Sequence, residues 1–227
     1  MNAESGSALV KELGPERTVF FQTDVSSSES IADAVKGTVE WVKKSGKPLG
    51  GVIAAAGVST PAKIIDKHGE PMSMSGYDFV MNVNVRGSVD LVAQLVPYIA
   101  QVKPEGDDGE RGVVILVSSS AAFDGQPGQV SYSASKGAIA SLTLPLTRDL
   151  ARYGMRVVTI APSLFESGMT ALMGDKVRSS LTRVMEFPLR PGRPDEFARV
   201  VREGLENSML NGTVIRLDGG MRMPSKM

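Results

Sequence analysis

The strongest constraint on the fold of this chain is a set of short, continuous apolar runs. GVVILVSSS at residues 112–120 and GGVIAAAG at residues 50–57 place apolar residues in a row and then end in small residues. A strand with one face in water alternates apolar and polar residues, and these runs do not alternate. They are therefore predicted as strands buried on both faces, which is typical of parallel sheets covered by helices.

Longer segments with helical periodicity lie between these strands. After the start SSSE, for example, Ile31, Val35, Val39 and Val42 recur at helical spacing until Gly46 breaks the pattern. This alternation predicts an α/β fold, a doubly wound parallel sheet that is Rossmann-like, and we expect a single domain. The predicted domain covers residues 1–227, with strands at 17–25, 50–57, 112–120, 155–161 and 211–220 and helices at 4–13, 26–45, 74–95, 131–153 and 194–207.

Charge and cysteine content exclude several classes of function. The chain has 25 Lys plus Arg and 25 Asp plus Glu, and this balance does not indicate a surface for nucleic acid. It has no cysteine, which excludes disulfides, thiolate metal sites and a thiol nucleophile. No apolar run approaches the roughly 18 residues of a membrane span. We therefore expect a small-molecule substrate, with no metal and no nucleic-acid or membrane partner.

Small and polar residues mark the carboxyl ends of the predicted strands. Asp24, Gly57, the serines at 118–120 and Pro162 all fall at such ends. Parallel strands bring their carboxyl ends to one edge of a sheet, and ligands of open α/β sheets bind beyond that edge. We expect these residues to share one rim that holds a ligand.

Tyr132 and Lys136 are spaced for one face of a helix, four residues apart. Taken alone, such a pair is more often on a solvated helix face. A phenol has a pKa of about 10, and a nearby cation lowers it. With Ser119 as a hydrogen-bond donor to a substrate oxygen, the set suits proton transfer at an alcohol or carbonyl, although Ser118 and Ser120 are alternatives to Ser119. None of these groups can carry a hydride, so a redox cofactor is implied.

The sequence around these residues resembles the short-chain dehydrogenase/reductase family. SSSAAFDGQPGQVSYSASKGA contains the family's serine and YxxxK motif, and TDV, AAAG, NVNVRG, RVVTIAPSLF and VIRLDGG occur in the family's order. Within the family, NGTVIRLDGGMRM and LTLPLTRDLARYGMRV are most similar to the mitochondrial type-2 3-hydroxyacyl-CoA dehydrogenases. The resemblance implies an oxidoreductase of fatty acid metabolism that transfers a hydride between a secondary alcohol, such as a 3-hydroxyacyl-CoA, and NAD(P).

The resemblance also implies roles for four catalytic residues. Tyr132 would be the general acid/base, and Lys136 would lower its pKa and bind the nicotinamide ribose. Ser119 would orient the substrate oxygen. Asn84 would hold a water that connects the lysine to solvent, and the alternative for this residue is an amide on a helix surface.

Cofactor contacts follow from the same resemblance, with NAD expected and NADP left open. The expected cofactor-binding residues are Asp24, Val25, Ala55, Ala56, Gly57, Tyr132, Lys136, Pro162, Phe165 and Ser167. A helix cap is the alternative for Asp24, and the two roles are compatible. The chain departs from the family at Ala54, where asparagine is usual, and at Ser163, where the family has glycine after the proline.

A glycine-rich turn of the form TGxxxGxG does not occur ahead of Asp24, where only Gly6 and Gly14 are found. By comparison with the family, we expect an N-terminally truncated chain that lacks the first βαβ unit. Unpaired buried backbone groups are costly. Residues 17–25 are therefore expected either to pair elsewhere, for instance on residues 51–55, or to be loose.

Two functions remain open from the sequence. The first is the oxidoreductase, and the second is a non-catalytic homologue that serves as an assembly subunit. By resemblance, a homotetramer is expected to form through the long helices and the C-terminal strand. The expected location is intracellular, mitochondrial in a eukaryote and cytoplasmic otherwise.

Overall fold

The computed structural model describes residues 2–171 and 174–223 of the 227-residue chain. Within these ranges, a parallel sheet is covered by helices. The helices are α1 (Ala3–Leu13), α2 (Ser28–Ser45), α3 (Met74–Met81), α4 (Gly87–Ile99), α5 (Val130–Leu150), α6 (Gly168–Ala171), α7 (Asp175–Arg183) and α8 (Pro194–Glu206), and the strands are β1 (Gly51–Ala54), β2 (Gly112–Val117), β3 (Met155–Pro162) and β4 (Thr213–Leu217).

The four strands of this sheet are all parallel and follow the order β1-β2-β3-β4. In the register, Val52 pairs with Val114, which in turn pairs with Val157. Each strand is followed by at least one helix before the next strand begins, as parallel pairing requires. All the carboxyl ends therefore lie at one edge of the sheet, and the predicted α/β fold is confirmed.

Alternate residues of β2 belong to two separate cores. Val114 and Leu116 pack with residues of α2, α4 and α5. Val113 and Ile115 pack on the opposite face, against α8. A strand buried on both faces has no position for a polar residue, which explains the unbroken apolar run in the sequence.

A continuous helical segment joins α3 to α4 through one π-helical turn, Asn82–Arg86. In that turn the backbone N–H of Gly87 donates to the carbonyl of Asn82, five residues earlier. The turn contains Asn84, whose side chain is almost completely buried. Such π turns are rare and are frequently found at functional sites.

The strand predicted at residues 17–25 is wrong, because residues 18–24 contain neither helix nor strand. They also do not pair with β1, which is the outer strand on its side of the described sheet. The segment is not loose either. A Cβ added to Gly6 would lie 2.5 Å from the ring of Phe20, and one added to Gly37 would lie 2.5 Å from Phe21. The aromatic rings that suggested a strand instead pack against glycines of α1 and α2.

The other elements lie close to their predicted positions, with shifts of a few residues at the ends. The largest changes are in the last predicted strand, which spans only Thr213–Leu217, and in the first predicted buried strand, which ends at Ala54. In α2, the Ser27 hydroxyl accepts a hydrogen bond from the Ser30 N–H, and Gly46 ends the helix in the left-handed conformation at φ 68°. None of the described helices has the length and apolar character needed to cross a membrane.

Candidate active site

Ser119 and Tyr132 meet at the carboxyl end of β2. Ser119 lies two residues after the end of the strand, and its Oγ accepts a hydrogen bond from the Ala121 N–H at 3.1 Å. Tyr132 lies in the first turn of α5, and the Ser119 side chain is close enough to its hydroxyl to lower the pKa of the phenol. The strand end and the helix start therefore bring two hydroxyl groups together at the rim.

Lys136 lies one helical turn after Tyr132, and the two side chains point to the same side. Its Nζ is 5.7 Å from the centroid of the Tyr132 ring and donates to the Val117 carbonyl at 2.9 Å. The lysine is only 5% exposed, and burial lowers its pKa to about 8. Burial disfavours the charged ammonium because Nζ loses contacts with water, and among the described residues the Val117 carbonyl only partly replaces them.

The expected lowering of the Tyr132 pKa is wrong for the ligand-free chain. Burial raises the pKa of the phenol, and the Ser119 side chain opposes this rise. Desolvation outweighs the effect of Ser119 because the same environment that encloses Lys136 also encloses the phenol. The phenol is therefore protonated at neutral pH in this state.

The three serines after β2 have different partners. Ser118 Oγ donates to the Lys136 carbonyl at 2.7 Å, which attaches the strand end to α5. Ser120 is fully buried, and its Oγ has no hydrogen-bond partner among the described residues. Ser119 is the serine that contacts Tyr132, so the geometry favours it over both alternatives.

Asn84 is not on a helix surface but braces the loop that follows β1. Its Oδ1 accepts from the Val58 N–H at 2.7 Å, and its Nδ2 donates to the Val58 carbonyl and to Ser135 Oγ, each at 2.9 Å. The Ser135 hydroxyl in turn donates to the Tyr132 carbonyl. Sequence reasoning missed Ser135, because a small polar residue three positions from a tyrosine is an ordinary feature of a helix.

Gly57 lies between the lysine and this asparagine. A Cβ at Gly57 would lie 3.2 Å from Lys136 Nζ and 3.5 Å from Asn84 Oδ1. Ala55 and Ala56, which precede it, are exposed beyond the end of β1, whereas Ala54 is buried. Ala55 and Ala56, which are expected to contact the adenosine side of a cofactor, are therefore open to solvent, and Gly57 lies next to Lys136.

Asp24 and Val25 lie ahead of α2. The Asp24 carboxylate accepts from the N–H and the hydroxyl of Ser26, at 2.9 and 2.7 Å, and these hydrogen bonds lower the pKa of the carboxyl. The carbonyl oxygen of Val25 is 2.5 Å from the position of a Cβ on Gly87, so the segment lies directly on the start of α4. These hydrogen bonds close a turn ahead of α2, whose N-cap is Ser27, so the helix-cap role expected as the alternative for Asp24 is not observed.

The segment after β3 holds the remaining expected residues with partners of their own. Pro162 ends the strand, half-buried. The Phe165 ring packs edge-on against Phe197 of α8, with centroids 6.0 Å apart. The Ser167 hydroxyl forms a hydrogen bond with the Thr170 hydroxyl at 3.1 Å, at the start of α6. Ser163 directly follows Pro162, and its Oγ is buried without a partner among the described residues.

Comparison with known proteins agrees with this geometry. The model of the short-chain dehydrogenase family matches residues 1–178. The chain is 37% identical to a 3-hydroxyacyl-CoA dehydrogenase type-2 of Drosophila melanogaster, over 97% of this chain and 85% of that protein. The crystal structure of a 3-hydroxyacyl-CoA dehydrogenase type-2 from Mycobacterium avium superposes with a TM-score of 0.89 at 32% identity, covering 99% of this chain and 84% of that one.

A more distant structure shares the fold. It is a 3-ketoacyl-(acyl-carrier-protein) reductase from Brucella melitensis complexed with NADH, with a TM-score of 0.81 at 22% identity over 98% of this chain and 85% of that one. The family match covers most of the chain, and relatives above 30% identity span nearly all of it. The chain therefore belongs to the short-chain dehydrogenase family of oxidoreductases.

Proposed function

We propose that this chain oxidises the 3-hydroxyl group of a short- or branched-chain 3-hydroxyacyl-CoA, with NAD as the hydride acceptor. The observation that carries the proposal is the grouping of the Ser119 hydroxyl, the Tyr132 phenol and the Lys136 ammonium at the carboxyl edge of the sheet. The names of the similar proteins supply the substrate class. A steroid or another hydrophobic alcohol is the second candidate substrate.

The three side chains suit the two directions of this reaction differently. In ketone reduction, the Ser119 hydroxyl donates a hydrogen bond to the substrate oxygen, and the protonated Tyr132 phenol delivers a proton to it. In alcohol oxidation, the phenol must first lose its proton, because a neutral phenol is a poor base. The Lys136 ammonium lies over the tyrosine ring, 5.7 Å from its centroid, and its positive charge favours the phenolate in that step.

The described residues fit the nicotinamide-ribose end of a dinucleotide. The space that a Cβ of Gly57 would fill lies 3.2 Å from Lys136 Nζ, so a ligand hydroxyl entering beside this glycine would come close to the ammonium. We expect Lys136 to hold the ribose there, with Pro162, Phe165 and Ser167 around the nicotinamide. A nicotinamide dinucleotide, when bound, supplies the hydride acceptor that no side chain can provide.

Asn84 would connect Lys136 to solvent through a water, and Asp24, Val25 and the Ala55–Gly57 backbone would contact the adenosine. The support for the adenosine contacts is that Ala55–Gly57 directly follow the carboxyl end of β1 and that the Val25 carbonyl oxygen lies beside Gly87 at the start of α4. Asn84 also keeps the loop after β1 in place through its two hydrogen bonds to Val58.

A homotetramer is part of the same proposal. An apolar groove runs between α4 and α5, and its lining includes Val89, Leu142 and Leu146. Val89 is 39% exposed, and Leu144 on α5 is 45% exposed, so the two helices present apolar surface that a second copy would cover. We expect Val89→Glu to dissociate the assembly in analytical ultracentrifugation, and an unchanged molar mass would contradict this interface.

A non-catalytic assembly subunit is the alternative function, and it is not favoured. The residues expected to transfer the proton lie close together, and the family consists of oxidoreductases. A calorimetric titration with NADH separates the two functions, since a subunit without catalytic function has no need to bind the dinucleotide.

Turnover provides the direct test of the proposed function. The protein is mixed with NAD and 3-hydroxybutyryl-CoA, and NADH absorbance is followed. We expect Tyr132→Phe to lower kcat by a factor of about 100 to 10,000, the usual contribution of a general acid/base. Tyr98→Phe on α4, where the side chain is 42% exposed, is the matched control and should keep wild-type turnover. Full activity in Tyr132→Phe would refute the assignment of the phenol.

A further inference from the structure

One arginine of β4 lies between two carboxylates at the carboxyl edge of the sheet. Arg216 is in register with Ala161, near the end of β3. Its Nη2 donates to Asp124 Oδ2, and its Nε donates to Asp218 Oδ2 at 2.7 Å. Only 23% of the arginine side chain is exposed, against 21% and 10% for the two aspartates. Charge-assisted hydrogen bonds are the stronger ones and fix the geometry of their partners, so Arg216 determines where both carboxylates lie.

The first of these carboxylates belongs to the turn that follows Ser119. This 3-10 turn, Ser120–Ala122, is closed by the N–H groups of Phe123 and Asp124, which both donate to the carbonyl of its first residue, at 3.0 and 2.9 Å. The Phe123 ring also contacts the arginine, with the guanidinium carbon 5.1 Å from the ring centroid. Arg216 therefore holds the turn that begins directly after Ser119.

The other contacts of Arg216 hold the segment after β4. Besides the bond to Asp218, Nη2 donates to the Met221 carbonyl at 3.2 Å. Met221 is fully buried, and its side chain packs in one cluster with Leu164. Leu164 lies in the middle of residues 162–167, the segment that we expect to surround the nicotinamide. The arginine is thus connected to that segment through the chain after β4.

Arg216 thereby joins the two halves of the candidate site. One half, from β2 and α5, contains Ser119 and Tyr132, which we expect to bind the substrate oxygen, and the other half follows β3. The hydrogen bonds between β2 and β3 end where the Ser118 N–H donates to the Ile160 carbonyl at 2.8 Å. Beyond this point, the guanidinium spans from the turn after Ser119 to the segment that packs on the nicotinamide side.

We infer that Arg216 is a positioning residue, which keeps the substrate side and the nicotinamide side of the site at a fixed distance for hydride transfer. The inference rests on the proposed function. In that oxidation, the C–H bond at the hydroxyl-bearing carbon breaks and its electron pair leaves with the hydrogen for the dinucleotide, while the hydroxyl proton goes to Tyr132 and the carbonyl forms. Reacting atoms must lie within about 3–3.5 Å, and a displacement of about 1 Å can slow a reaction about a hundredfold.

The test is a double-mutant cycle in which turnover is measured per cofactor site. Arg216→Gln removes the cation, and Asp124→Ala removes its partner in the turn. Sites are counted by fluorescence titration with NADH, and kcat for 3-hydroxybutyryl-CoA with saturating NAD is divided by that count. Each single variant should lower kcat per site about tenfold to a hundredfold and change KM less than about threefold. The double variant should be no slower than Arg216→Gln, because both substitutions break the same connection.

Arg222→Gln is the matched control. Arg222 also donates to Asp218 Oδ2, at 3.1 Å, but its side chain is 62% exposed, and Asp124 forms an ion pair only with Arg216 within the described part of the chain. Exposed ion pairs contribute little, so this variant should keep the wild-type kcat per site.

A purely structural role for Arg216 gives different results. It would reduce the number of NADH sites in Arg216→Gln and leave kcat per remaining site unchanged, and this result would overturn the inference. So would effects of the two substitutions that multiply in the double variant. If Arg216→Gln does not fold, an unchanged kcat per site in Asp124→Ala is decisive against the inference. Absence of turnover in the wild type with NAD and NADP would instead refute the proposed function, and the inference with it.

Discussion

Replacing Lys136 by methionine should make the free protein more stable at pH 7. The lysine is buried, and its pKa is lowered from 10.5 to about 8 by that burial. A pKa difference of this size between unfolded and folded states corresponds to about 3 kcal/mol of destabilisation. The substitution also removes the hydrogen bond to the Val117 carbonyl, which costs about 1 kcal/mol. The expected net gain in the free energy of unfolding is about 2 kcal/mol.

The sign of the effect depends on pH in a way that identifies its cause. Below pH 8 the lysine is charged in both states, and the full penalty is present. Between pH 8 and 10.5 the folded state releases its proton before the unfolded state, so wild-type stability rises with pH. The advantage of Lys136→Met should therefore shrink to less than about 1 kcal/mol at pH 9.5. The range stays below pH 10 because the raised pKa of Tyr132 acts in the opposite direction above it.

Urea unfolding at pH 7 and pH 9.5 measures both quantities. Lys44→Met, at an exposed position of α2, is the matched control and should change the free energy of unfolding by less than about 0.5 kcal/mol at either pH. A Lys136→Met protein that is less stable than wild type at pH 7 would refute the reasoning. So would a stability difference that does not change with pH, since it would have to arise from packing rather than from charge.

Four further substitutions test the site and its surroundings by urea unfolding. Asn84→Ala should destabilise by about 2–4 kcal/mol, because it leaves the N–H and carbonyl of Val58 without partners; a cost near zero would contradict the bracing role. Gly87→Ala should destabilise by about 1–3 kcal/mol, since its Cβ would lie 2.5 Å from a backbone carbonyl oxygen. Gly137→Ala on α5 is its control: a Cβ there would meet nothing within 4 Å, so this substitution should stabilise by about 0.5–1 kcal/mol. Ser163→Ala should stabilise by about 1 kcal/mol by removing a buried hydroxyl without a partner, and a loss of stability would show that the hydroxyl is hydrogen-bonded.

Periodicity and apolar runs were sufficient to predict most of the sheet and helices, because each of those elements is defined by its own side chains. The segment at residues 17–25 shows the limit of this reasoning. Its β-branched and aromatic residues favour a strand, but a strand exists only with a neighbour to pair with. Here the rings of Phe20 and Phe21 found space on Gly6 and Gly37 instead, and no local pattern encodes that choice.

In the candidate site, too, local sequence patterns predicted some features, and others depended on distant parts of the chain. The spacing of Tyr132 and Lys136 was enough to place both side chains on one side of α5. The pKa shifts of these two side chains were not predictable, because the burial of the phenol and the ammonium depends on segments far away in sequence. The choice among three consecutive serines also required coordinates, since only the exact direction of the chain after β2 determines which hydroxyl reaches Tyr132.

The π turn at Asn82–Arg86 allows one long helical segment to direct side chains before and after the turn independently. A regular α-helix rotates by a constant angle per residue, so an amide directed into the site would fix the direction of every later side chain. The wider turn absorbs about one residue and resets that angle. Asn84 can therefore face the loop after β1 while Val92 and Leu95 still face the sheet. Deleting one residue within the turn would leave the packing of α4 intact and turn the amide away from the site, so activity would be lost from a protein that still folds.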